Sequence, residues 1–152
     1  MRIVLLMLAL AFSLTTLAAG SDSSTPAVAR DPDFDGGKQA IEAKNWTLAL
    51  EMFGRASVRD PNNADIQNYL GYANRKSGNL DAAFANYATA LRLDPRHKAA
   101  HEYVGEAYLM VNNLAKAEEH LAALDKICFW SCEEFRDLKR EIDEYKSKHA
   151  NK

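Results

Sequence analysis

A spacing of 34 residues runs through the middle of this 152-residue chain. It relates Gly37, Gly71 and Gly105, then Trp46, Leu80 and Leu114, then Ala49, Ala83 and Ala117. It also relates Phe53, Tyr87 and Leu121, and Ala56, Ala90 and Leu124. Asn45, Asn79 and Asn113 keep the interval in one set of turns, and Pro61 and Pro95 keep it in another. A period of this length, held over many columns, belongs to a chain whose units stack and bury a shared core that no single unit could bury alone.

Each column has a physical reading. Glycine at 37, 71 and 105 lets one helix approach its neighbour closely, and alanine at 49, 83 and 117 does the same on a second helix. The residue four positions on, at 53, 87 and 121, lies on the same helical face and is expected to fill the remaining space. Pro61 and Pro95 cannot continue a preceding helix and suit the first turn of the next. In "RKSGNLDAA", Gly78 is suited to a left-handed turn and Asn79 to capping the helix that follows.

With these columns in view, the chain resembles the tetratricopeptide repeat family. The segment "ADIQNYLGYANRKSGNLDAAFANYATALRLDP" carries the family's Leu70–Gly71 pair, the Ala83 to Tyr87 step, the small Ala90 and the closing Pro95. The next unit keeps Gly105, Tyr108, Ala117 and Leu121, and the first has Gly36 where the others have Leu70 and Val104. At the family's tryptophan place stand Asp33, Gln67 and His101. The resemblance covers roughly residues 30–129. It implies an all-α fold: a right-handed helical-hairpin solenoid of three tetratricopeptide repeats, within residues 34–130 and dividing at about 30–63, 64–97 and 98–131. Beyond it, residues 132–152 place Phe135, Leu138, Ile142 and Tyr145 on one helical stripe, with acids first and bases last, as expected of a C-terminal capping helix.

The N-terminus reads differently. One basic residue, Arg2, precedes an apolar run from Ile3 to Leu17 and small residues at 18–20, the order of a secretory signal peptide. That run falls short of the roughly 20 residues a membrane span needs. Residues 1–20 are therefore expected to be a leader and 21–33 a linker, which places the protein in the periplasm or outside the cell, with no membrane attachment after cleavage. The chain holds 19 Lys and Arg against 21 Asp and Glu, and these form no basic block, which argues against a nucleic-acid partner.

The resemblance implies a groove, lined by the first helix of each pair, that holds a protein or peptide. The residues it places there are Lys38 and Ile41, then Asn68, Tyr69, Tyr72, Arg75 and Lys76, then Glu102, Tyr103, Glu106 and Met110. Tyrosine suits either such a surface or packing between helices. The family's clamp for a chaperone C-terminus needs basic and Asn side chains where Phe34, Ala99 and Tyr103 stand, so that ligand is not expected. No nucleophile-base grouping, phosphate loop or H-E-x-x-H occurs, so neither catalysis nor a cofactor is expected. His97 and His101, four apart and followed by Glu102, are read as capping or solvated residues rather than metal ligands. The chain is expected to be a monomer or a weak homodimer.

Two cysteines complete the inventory, Cys128 and Cys132 in "CFWSC". Export places them where thiol pairs oxidise, and a bridge is the favoured reading. Side chains four apart on an unbroken helix lie too far apart for a bridge, so the pairing predicts a helix break between them. The alternative is an accessory role in copper or thiol handling through the same pair. Counting one period on from Pro95 reaches Phe129, so the motif occupies the inter-repeat corner.

Overall fold

The computed structural model describes residues 31–150. The leader reading and most of the linker reading lie outside these residues. Seven helices follow in order: α1 (Pro32–Glu42), α2 (Trp46–Arg59), α3 (Ala64–Lys76), α4 (Leu80–Leu93), α5 (Lys98–Met110), α6 (Leu114–Ile127) and α7 (Glu133–His149). No strand occurs among the described residues, and none of these helices is long and apolar enough to cross a membrane. α1 starts at Pro32, inside the stretch read as linker, because Asp31 accepts from the amides of Asp33 and Phe34 and proline suits the first helical position.

The helices pair as α1/α2, α3/α4 and α5/α6, with each hairpin packed on the next and α7 laid across α5 and α6. This is the expected right-handed solenoid of three helical hairpins plus a cap. The turn within each hairpin repeats one conformation. Lys44, Gly78 and Asn112, one period apart, all take positive φ, at 55°, 81° and 57°. Asn45 and Asn113 then cap α2 and α6 through their side-chain oxygens. Asn79 occupies the same place but makes no such bond, because its amide nitrogen turns back to Asn74 Oδ1 at 3.4 Å.

The core forms along the line where hairpins meet. Ala49, Phe53 and Ala56 are fully buried with Ile66 and Ala73 across the first junction, and Ala83 and Tyr87 meet Val104 and Ala107 across the second. At the last junction Ala117 and Leu124 meet Leu138 and Ile142 of the cap. The glycine column explains the spacing. An added Cβ at Gly37 would stand 2.7 Å from the Phe53 ring, and one at Gly71 would stand 2.6 Å from the Tyr87 ring. Over Gly105 the nearest atoms belong to Leu138, not to Leu121 as the period predicts.

The corner between α6 and α7 is non-helical. Cys128 and Cys132 are bonded there with Cα atoms 5.6 Å apart, and the helix breaks between Ile127 and Glu133. Arg136 donates to the Ser131 carbonyl at 2.9 Å and Arg96 to the Ile127 carbonyl at 3.4 Å, which ties the corner to α7 and to the preceding turn. Phe129 and Trp130 are exposed at its tip.

Candidate functional site on the inner face

α3 and α5 bring together most of the residues read as groove-lining. Arg75 reaches from α3 to α5, where its guanidinium pairs with Glu106 at 2.5 Å. It lies 5.3 Å from the Tyr72 ring centroid and 5.6 Å from that of Tyr103, and its Nε donates to the Tyr87 hydroxyl at 3.4 Å. Tyr72 and Tyr103 touch with centroids 4.9 Å apart. A cation 6 % exposed between two aromatic faces, with a carboxylate partner, is held by charge, hydrogen bonding and ring quadrupoles together. Lys76 stands outside this group, its ammonium 5.3 Å from the Tyr72 ring centroid.

The remaining residues divide by burial. Tyr69 stacks flat on Phe53 at 5.0 Å and meets Phe34 edge-on, so it packs between the first two hairpins. Asn68 is buried, and its Oδ1 has no hydrogen-bond partner among the described residues. Lys38 is exposed and lies over the Phe34 ring, and Ile41 packs against the first core cluster. Met110 is half exposed.

Between α5 and α7 the inner face opens into two cavities. One, of about 240 Å³, is lined by Arg75, Glu106, Met110, Glu141, Tyr145 and Lys148 among others. The other, of about 230 Å³, is lined by Ala99, Glu102, Tyr103, Glu133, Glu134 and Asp137. Burial pushes the Glu102 carboxyl up to about 8, and the neighbouring charges of Glu106, Asp137 and Glu134 push in the same direction. Burial also raises the Tyr103 hydroxyl above the usual tyrosine range. The surface is therefore aromatic at its centre and acidic toward the start of α7.

A second polar constellation was not legible from any one repeat. At the place where the family carries tryptophan, each repeat makes a polar link to its own second helix. Asp33 binds Arg55 and Arg59, Gln67 accepts from Asn86 at 3.0 Å, and His101 meets His120 with Nδ1 atoms 2.9 Å apart. His101 Nε2 lies 3.1 Å from the Pro95 carbonyl, and the His120 ring stacks on Tyr108. Burial, and then His101, push the His120 imidazole down to about 4. His97 does not join them. It caps α5 through Nδ1 and meets Asp65 through Nε2 at 3.0 Å. The usable signal was that His101 and His120 stand one period after Gln67 and Asn86.

Comparison with known proteins places this geometry. Two family models described as tetratricopeptide repeat match, over residues 34–88 and 74–127. A curated relative, the TPR repeat-containing thioredoxin TTL4 of Arabidopsis thaliana, is 28% identical over 96 residues, which are 63% of this chain and 13% of that protein. The chain thus spans a small fraction of that relative's length. Among solved structures, the type III secretion translocator chaperone SycD of Yersinia enterocolitica superposes with a TM-score of 0.69 at 17% identity, covering 78% of this chain and 83% of SycD. The TPR2B domain of yeast Sti1, solved as a complex with pHsp70, gives a TM-score of 0.67 at 18% identity, with 77% and 95% covered.

Proposed function

With residues 34–127 belonging to the tetratricopeptide repeat family, we propose that the protein is a non-catalytic interaction module that holds a segment of a partner protein on its inner face. The observation that carries this reading is the Tyr72–Arg75–Tyr103–Glu106 group, which fixes an aromatic surface between two cavities. Rigid tyrosines lose little conformational freedom on binding and serve well as anchors. SycD is described as a translocator chaperone, and the Sti1 domain was solved with pHsp70. Both fit the class of ligand proposed. The acids at the start of α7 favour a segment carrying a basic side chain, so binding weakens as salt is raised.

The test is capture of partners on the immobilised protein, identification by mass spectrometry, and titration with a synthetic peptide of the captured segment. Tyr72→Ala with Tyr103→Ala should abolish binding while the helical circular dichroism persists. Undiminished binding by the folded double variant would sink the groove reading.

We further infer that the protein works outside the cytoplasm, on the strength of the leader-like residues 1–20 and the paired cysteines. Cell fractionation with N-terminal sequencing of the mature chain tests this. A cytoplasmic protein that retains Met1 or Arg2 would count against it. In its bonded form the Cys128–Cys132 pair has no thiolate to offer a metal.

A further inference from the structure

The His101–His120 contact joins two helices through the two side-chain nitrogens best suited to a d-block cation, and nothing in the interaction role above uses it. Its chemistry follows from the hydrogen bonds. His101 Nε2–H donates to the Pro95 carbonyl, which fixes the tautomer and leaves Nδ1 with a lone pair. The facing His120 Nδ1 is 2.9 Å away, so in the metal-free protein it carries the hydrogen that lies between the rings. Two imidazole nitrogens bound to one zinc at about 2.0–2.1 Å stand roughly 3.3 Å apart at a tetrahedral angle. The rings therefore need to part by about 0.4 Å and each to turn by roughly 35°, so that both lone pairs meet at the ion and no longer point along the N–N line.

We propose that His101 and His120 form a two-residue clip for a borderline dication of the Zn²⁺ or Cu²⁺ class, pinning α5 to α6. Imidazole suits both ions. On binding, the hydrogen on His120 Nδ1 moves to Nε2 of the same ring, so both Nδ1 lone pairs face the cation and no net proton is released. No third His, Cys, Asp or Glu joins the pair among the described residues. Water or a side chain from a bound partner fills the remaining positions. The second repeat supplies the contrast. There Gln67 and Asn86 close the same gap with a hydrogen bond that no cation replaces.

That contrast provides the control variant, His101→Gln with His120→Asn, which installs the second repeat's pair in the third. Zinc chloride alone is titrated into the full-length protein, followed calorimetrically and by thermal unfolding. The wild type should bind one ion per chain, and its midpoint should rise by roughly 5–10 °C at a hundredfold excess over Kd and fall back with a chelator. The double variant should show neither effect, while His97→Gln should behave as wild type. No midpoint shift in the wild type, or an equal shift in the double variant, overturns the clip. Imidazole NMR of the wild type supplies a reading that needs no variant: zinc should move the His101 and His120 ring resonances and spare those of His149, and the reverse pattern refutes the proposal.

Discussion

Leu138, a residue of the cap, lies over Gly105 in the place that Phe53 takes over Gly37 and Tyr87 takes over Gly71. The cap thus completes the third repeat's core, while Leu121 is only half buried beside it. Leu138→Ala should cost about 3 kcal/mol in denaturant unfolding, since the side chain is fully buried and leaves a cavity. Leu121→Ala should cost clearly less.

Two glycines in helix interiors should respond in opposite directions. Gly71→Ala gains about 1 kcal/mol of helix propensity but drives a methyl into the buried Tyr87 ring, so a net loss of about 1–2 kcal/mol is expected. Gly54 has nothing within 4 Å of an added Cβ, and Gly54→Ala should stabilise by up to about 1 kcal/mol. Chemical denaturation of the two single variants measures both.

Lys44 holds the left-handed turn that Gly78 holds in the next repeat, at φ 55°. Lys44→Gly should remove the strain of a side chain in that region and raise stability by about 0.5–1 kcal/mol. An unchanged or lowered unfolding midpoint would contradict this.

Arg75 is nearly inaccessible, and Glu106 is its ion partner. Glu106→Gln strands a buried cation and should cost about 3 kcal/mol. Replacing both, Arg75→Met with Glu106→Leu, should cost less than the single change, because no uncompensated charge remains. A double-mutant cycle decides the order.

Glu102 carries a pH signature. Its folded value, near 8, lies above that of the unfolded chain, so its favourable contribution is complete below about pH 4.5 and is lost as pH rises through 8. Glu102→Gln should stabilise the protein at pH 8.5 by on the order of 1 kcal/mol, allowing for its partial exposure, with the difference vanishing near pH 4. Stability curves of both proteins across that range test the sign.

The periodic columns foretold the hairpins, the left-handed Gly78 and the close helix contacts, because each rests on a local steric rule applied three times. They failed where a partner comes from outside the unit. Leu121 is at the periodic place, yet the cap's Leu138 reaches Gly105. Arg75 and Asn68 sit in groove columns, yet both are buried, Arg75 against Tyr103 and Glu106 of the following repeat. The His101–His120 contact depends on two columns from different helices, and neither residue is informative alone. Tyr69 and Tyr103 look equivalent by spacing, but Tyr69 stacks flat on Phe53, whereas Tyr103 makes its ring contact with Tyr72 on the inner face, although Tyr87 stands one period after Phe53.

The cap also decides how the array can lengthen. Its inner stripe, Leu138 and Ile142, is spent on the third hairpin, while Lys139, Arg140, Asp143 and Glu144 stand exposed, joined in pairs along or around α7 itself. A further hairpin appended after His149 would meet that charged side and find no apolar stripe to dock on. A duplicate of residues 64–97 spliced in ahead of Lys98 would meet surfaces like those already in contact at the second junction. Growth by internal duplication is therefore permitted, and growth by extension is blocked.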